Sequence, residues 1–106
     1  MIYDIRTYTL KPGALQQYMD AVRDVGLPVG QKYGIKLAGW YYSELGSLNQ
    51  VVYIWAFRDW AHMEEGKKQF RTDPQWINDY LPRVQGLVVA QEDQIFMSPD
   101  FAPPPD

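Results

Sequence analysis

Gly46-Ser47-Leu48-Asn49-Gln50-Val51-Val52-Tyr53-Ile54-Trp55-Ala56-Phe57 decides the fold of this chain. It reads as a tight turn feeding a strand that is apolar on both faces. Val52, Ile54 and Ala56 are small and aliphatic and share one face; Tyr53, Trp55 and Phe57 are large and aromatic and share the other. A strand with two apolar faces needs a cover on each. A chain of 106 residues can cover one face with its own helices. The second cover is expected to be another copy of the chain.

Outward from this strand, Ile35 to Leu45 reads as its hairpin partner, with Gly39 inside it as a mark of close approach by a neighbour. Pairing Leu45 with Gln50 sets Tyr42 opposite Tyr53 and Trp40 opposite Trp55, so that four aromatics share one face. Leu37, Gly39, Tyr41 and Ser43 then fall on the other face with Val52 and Ile54. Ile2 to Leu10 alternates as a strand, with Asp4, Arg6, Tyr8 and Leu10 on one side. After Lys11-Pro12-Gly13, Leu15, Tyr18, Met19 and Val22 follow helical spacing. Gly26 and Pro28 are expected to interrupt or kink that helix, and Gly34 to stop it. Asp59 reads as the N-cap of a helix to about Arg71. Asp73-Pro74 opens a short helix with Trp76, Ile77, Tyr80, Leu81 and Val84 on its buried side, and Pro82 should bend it. Leu87 to Met97 is a fourth strand whose polar centre, Gln91-Glu92-Asp93-Gln94, leaves its facing open.

The order β-α-β-β-α-β is the ferredoxin-like arrangement, an α+β fold with a four-stranded antiparallel sheet and helices on one face. We expect one domain over residues 1–97. Residues 98–106 form a Pro-rich tail, extended along the surface.

The bulk numbers remove several function classes. Formal charge is −3 and no basic stripe runs along the chain, so nucleic acid is not an expected partner. No apolar run approaches membrane-spanning length, and the strand-like start at Met1-Ile2-Tyr3 does not read as a targeting segment. A cytoplasmic location is the expectation. There is no Cys, which excludes disulfides and thiolate chemistry. With a single His, His62, on an ordinary helix surface beside Glu65, neither zinc nor haem is expected, and no cofactor is assigned. There is no Ser-His-Asp pattern and no phosphate-cradling glycine loop. Aromatic residues make up 15% of the chain, more than so small a core absorbs, so some should lie at an interface or in a pocket.

Three blocks carry a family resemblance: Tyr3-Asp4-Ile5-Arg6-Thr7-Tyr8-Thr9-Leu10-Lys11-Pro12-Gly13, then Gly46-Ser47-Leu48-Asn49-Gln50-Val51-Val52 followed by Trp55, then Asp73-Pro74 with Trp76. From Ile2 to about Phe96 the chain resembles the NIPSNAP family of the dimeric α/β-barrel superfamily. The resemblance implies that two protomers pack sheet to sheet into a barrel with helices outside. It imports no catalytic residue: family members often carry His where this chain has Tyr53, and Tyr where it has Phe57. Barrel relatives outside the family include cofactor-independent oxygenases, small-ring isomerases and haem-handling proteins, and shared fold does not transfer their chemistry.

The candidate site is Arg6, Tyr8, Trp40, Tyr42, Tyr53 and Trp55, expected to face one space between the two sheets. Arg6 would hold an anionic oxygen through its planar fork, or form an ion pair with Asp4, Glu44, Glu92 or Asp93. Tyr8, Tyr42 and Tyr53 would donate to a developing oxyanion, one of them acting as an acid if Arg6 lowers its pKa, or simply pack. Trp40 and Trp55 would stack a flat substrate, or fill a core. Asn49 reads as a turn residue, and Glu44 as a general base at the barrel mouth or a solvated strand end. The functional expectation is a small-molecule-binding homodimer, in its sharper form a cofactor-independent enzyme of oxygenase or isomerase type on an aromatic or enolisable anionic substrate. The alternative is a non-catalytic interaction or scaffold dimer.

Overall fold

The structure, a computed structural model, describes residues 1–102. Four antiparallel strands, β1 (Ile2–Leu10), β2 (Lys36–Tyr42), β3 (Gln50–Phe57) and β4 (Val88–Met97), form one sheet in the order β2-β3-β1-β4. Between β1 and β2 run α1 (Leu15–Ala21) and α2 (Leu27–Lys32); between β3 and β4 run α3 (Trp60–Arg71) and the single turn α4 (Leu81–Val84). The helices lie on one face of the sheet. The core there joins Leu10, Tyr18, Val51 and Tyr53, with a second cluster of Ala21, Val25, Val29 and Tyr80 between the helices themselves. This is the ferredoxin-like α+β fold that the element order implies.

Glycine and proline do not break the first helix. Val22–Gly26 is a π-helical segment joining α1 directly to α2, with the Leu27 N–H bonded to the Val22 carbonyl. The same device recurs at Trp76–Tyr80, where the Leu81 N–H reaches the Trp76 carbonyl before α4. Each π segment ends two residues before a proline, Pro28 or Pro82. A proline ring collides with the carbonyl four residues back, that of Asp24 or Asn78, at the centre of each widened turn. Widening the turn relieves the collision without ending the helix.

The caps are as the sequence reads. Asp59 is extended and its carboxylate accepts the His62 N–H at 2.7 Å, opening α3. Asp73 accepts the N–H of Gln75 at 2.8 Å and of Trp76 at 3.4 Å, and also holds the Lys32 ammonium at 3.2 Å and the Tyr33 hydroxyl. Asn49 takes a left-handed backbone with φ 62°, and its carbonyl accepts the Leu10 N–H at 2.7 Å.

The hairpin register differs from the expected one by two residues. Trp40 lies opposite Tyr53, and Tyr42 opposite Val51. A two-residue shift preserves which face each side chain takes. The register then slips between Leu37 and Gly39, with Leu37 opposite Trp55, so a bulge at Ala38 carries Leu37 to the Trp55 face rather than the Val52 face. Gly39 does mark a close approach: a Cβ there would meet the Tyr41 ring at 2.8 Å. β4 resolves its open facing, with Asp93 opposite Arg6 and Gln91 opposite Tyr8 on the helix side. It is an edge strand, and Val89 through Met97 are all exposed. Beyond β4 the chain turns, the Ala102 N–H bonding the Pro99 carbonyl, instead of running extended. Pro103, Pro104 and Pro105, the rest of the expected extended tail, lie outside the described residues.

Candidate functional site

Parity within β1, β2 and β3 sends Arg6, Tyr8, Trp40, Tyr53 and Trp55 to one face, and that face lies under the helices. The expectation of a space between two sheets is therefore corrected: the five residues line a cavity of about 230 Å³ inside one protomer. Both faces of β3 are apolar, so alternation alone does not say which one the helices take. Tyr42 does not join the group; it sits at the outer end of β2 and is exposed. Glu44 lies in the exposed loop after β2. The remaining walls come from the helices: Tyr18 from α1 and Val22 from the first π segment, Trp76 and Tyr80 from the second. Of the residues around the cavity, Leu81 and Gln91 are exposed, which sets its mouth between α4 and β4.

The aromatic walls are ordered by ring contacts. Trp40 and Tyr53, directly opposite in the sheet, stack at 6.0 Å and 7°. Tyr8 and Trp55 meet Tyr53 edge-on at 5.4 Å and 6.0 Å. Trp76 stacks on Tyr80 at 4.1 Å and takes Phe70 against its edge at 4.2 Å. Such rings prefer offset or edge contacts to one another, so the walls hold their shape without filling the centre.

The polar end is a network around Arg6. Its Nε donates to Asp4 at 3.2 Å, one terminal nitrogen donates to the Tyr8 hydroxyl at 2.9 Å, and the other lies 3.4 Å from Asp93. Lys67, reaching down from α3, holds the same Asp4 oxygen at 2.8 Å. Asp4 is fully buried, and its second oxygen, Oδ1, has no hydrogen-bond donor within reach. Of the expected ion-pair partners of Arg6, Asp4 and Asp93 are the ones it uses.

Burial opposes the charge of Arg6, but Tyr8, Asp4 and Tyr53 around it outweigh this and hold its pKa above the ordinary value. Burial also pushes the Asp4 carboxyl up, yet the neighbouring Asp93 carboxyl, together with Lys67 and Arg6, brings it below the usual range. Asp93 moves the other way, pushed up to about 6 by burial and by the neighbouring Asp4 carboxyl. Tyr18 and Tyr53 are raised, first by burial and then by neighbouring phenols, and Tyr80 is raised by burial to about 12. For Tyr53, one of the three tyrosines expected to donate or act as an acid, the shift runs away from an acid role, and a buried phenol of this kind stays neutral.

In the sequence Tyr18, Tyr80 and Trp76 read as parts of buried helical stripes, Trp76 also marking the family resemblance, and Lys67 reads as half of the Lys67-Lys68 pair with no role at a site. A tyrosine among aliphatic residues on a helix is the one signal that was there, since its polar tip needs somewhere to go. His62 takes no part. Its Nδ1 accepts the Arg58 N–H at 3.1 Å and its ring packs edge-on against Phe57 at 5.5 Å. Among the described residues no helix is long and apolar enough to cross a membrane.

Residues 3–103 match the NIPSNAP family model. Human NipSnap homolog 3A is 27% identical over 97 residues, which are 90% of this chain but 38% of that protein, so the chain spans well under half the length of this curated relative. The crystal structure of Atu4242 from Agrobacterium tumefaciens superposes with a TM-score of 0.89 at 35% identity, covering 97% of this chain and 98% of that one. More distantly, the fold is shared with the "Putative antibiotic biosynthesis monooxygenase" of Nitrosomonas europaea, at a TM-score of 0.70 and 12% identity over 92% of this chain and 98% of that one. The matched span, the strand order and the superposition agree that this chain belongs to the NIPSNAP family.

Proposed function

We propose that this chain, one NIPSNAP-like unit over residues 1–97, is a cytoplasmic small-molecule-binding protein that works as a homodimer. Its ligand occupies the cavity between sheet and helices. The observation that carries this reading is the cavity itself, about 230 Å³ walled by Trp40, Tyr53, Trp55 and Tyr80 and closed at one end by Arg6 and Tyr8. An apolar cleft with a few convergent polar groups is the usual form of a ligand site. Flat aromatic or enolisable compounds suit the stacked walls. Neutral phenols and a fixed guanidinium would stabilise negative charge developing on a ligand oxygen, as a cofactor-independent oxygenase or isomerase requires.

Native mass spectrometry of protein purified from cells, followed by identification of any released compound, tests this. A co-purified aromatic or enolisable compound that is lost in Tyr53→Leu and Arg6→Ala supports the reading. A cavity that takes up no member of a broad panel of such compounds overturns it.

A second reading, the scaffold dimer, rests on the other sheet face. Tyr3, Ile5, Ile54 and Phe96 lie there without a helical cover, and the Tyr3 hydroxyl is buried without a partner. This face also supports the homodimer within the first reading. The two readings part on whether the cavity holds a ligand.

A further inference from the structure

We infer that the cavity takes up a flat organic monoanion together with one proton, the anion resting on Arg6 and the proton on the Asp4–Asp93 carboxyl pair. This rests on the reading of the cavity as a ligand site, and adds the charge of the ligand and its linkage to protons.

The charges at the polar end balance. Arg6 and Lys67 face Asp4 and Asp93, so with both carboxylates ionised the floor of the cavity carries no net charge. In that state Arg6 is already neutralised and has little left for an anion. One atom is out of place in this arrangement: Asp4 Oδ1 is buried with no donor. A buried carboxylate oxygen without a donor is strongly destabilising, and native structures rarely keep one. Lys67 and Arg6 both bond the other oxygen, Oδ2. Arg6 spans both carboxyls, 3.2 Å from Asp4 and 3.4 Å from Asp93, which gathers the two acids on one cation. A proton taken up by this pair of acids relieves the crowding of buried negative charge and leaves the floor with one net positive charge.

The surroundings allow this proton to come and go. Asp93 is 44% exposed on the edge strand, so it exchanges with solvent, while Asp4 beneath it is sealed. The charged groups acting on Asp93 are Arg6 and Asp4 from β1 and Lys67 from α3. On β4 itself Gln91 and Gln94 are uncharged, and Glu92 pairs with Thr7 on the opposite face. From β3 the facing group is Tyr53, raised by burial and so a neutral donor. An anion bound at Arg6 competes most readily with Asp93, the solvent-exposed one of its two carboxylate partners, and favours its protonation; by linkage, protonation favours the anion equally.

The probes are 2-naphthoate, an anion, and 2-naphthol, a neutral analogue of similar shape, titrated calorimetrically between pH 5.5 and 7.5. Naphthoate is expected to bind about tenfold more tightly at the acid end, with proton uptake visible as a buffer-dependent heat, and naphthol to show no such trend. Asp93→Asn, which carries the neutral form permanently on an exposed edge strand, should bind naphthoate tightly and equally at both pH values. Two probes binding with the same flat pH profile, or an undiminished pH dependence in Asp93→Asn, would overturn the inference and leave the ligand site standing. Failure of both probes at every pH would overturn the inference together with the reading it rests on.

Discussion

Gly26 lies directly against the ring of Tyr80: a Cβ at Gly26 would come within 2.8 Å of a ring carbon. The two π segments meet at this contact, Gly26 ending the first and Tyr80 ending the second. Tyr80 cannot easily yield, because it is buried and stacked on Trp76. Gly26→Ala gains about 1 kcal/mol in helix propensity, against overpacking of typically ~1–3 kcal/mol. We expect a net loss of about 1 kcal/mol by denaturant unfolding, with Tyr80 displaced toward the cavity. An unchanged or raised midpoint would mean that the π–π contact is slack.

Arg6→Ala leaves Asp4 buried with Lys67 as its remaining direct cation. Breaking a buried pair on one side is destabilising by about 3–5 kcal/mol, and partial access of Arg6 to water reduces this to ~1–3 kcal/mol. Asp4→Asn combined with Arg6→Ala should lose less than the sum of the two single changes. Strict additivity in a double-mutant cycle would show that the two groups do not act as a unit.

Asp93 should make stability fall as pH rises. Its folded pKa, about 6, lies above that of an ordinary carboxyl, so its stabilising share is complete below about pH 4 and is lost as pH climbs through 6. Asp93→Asn should therefore be the more stable protein at pH 7.5, by about 1 kcal/mol or less given solvent screening. The margin should close toward pH 4. A less stable Asn variant at pH 7.5 would contradict the direction of the shift.

Asp73 should act in the opposite sense. Its hydrogen bonds with Tyr33 and Lys32 and its capping N–H bonds hold its carboxyl down to about 2. The stability it contributes is present above the unfolded value near 4 and is lost as pH falls through 2. In acid titrations followed by circular dichroism, Asp73→Ala should melt earlier than the parent above pH 4, and the two curves should converge at the acid end.

Ile54 sits in the uncovered sheet face, opposite Ile5 on one side and Gly39 on the other. Light scattering at micromolar concentration should give a dimer for the parent chain, and a folded monomer for Ile54→Asp. A stable monomeric parent would remove the need for a second cover on the strand from which the fold was read.

Much of this was legible along the chain, and the failures have physical causes. Period-two alternation placed Trp40, Tyr53 and Trp55 together despite a hairpin register off by two, because facing depends on parity alone. It did not resolve the bulge at Ala38, because Gly39 beside it signals either a bulge or a close approach and alternation does not choose between them. Nor could it assign the aromatic face to helices or partner, since Val52 and Ile54 are apolar as well. Gly26 and Pro28 signal an interruption or kink, and only the structure shows that it takes the form of a widened turn through which the helix continues. The acid pair escaped because Asp4 and Asp93 are 89 positions apart and meet only through the pairing of β1 with β4.

That pairing has one more outcome. β4 is ten residues long and, among the described residues, hydrogen-bonds to a neighbouring strand on one side only, which leaves a row of backbone donors and acceptors along its outer margin. Its ends, Val88-Val89 and Ile95-Phe96-Met97, are apolar and would favour pairing with another strand at that margin. Gln91-Glu92-Asp93-Gln94 interrupts them with charge and polarity at the midpoint. The acid that faces Arg6 thus also guards the sheet against edge-to-edge growth. A variant that neutralises both Glu92 and Asp93 trades that protection away, whatever it gains in the stability of the single folded chain.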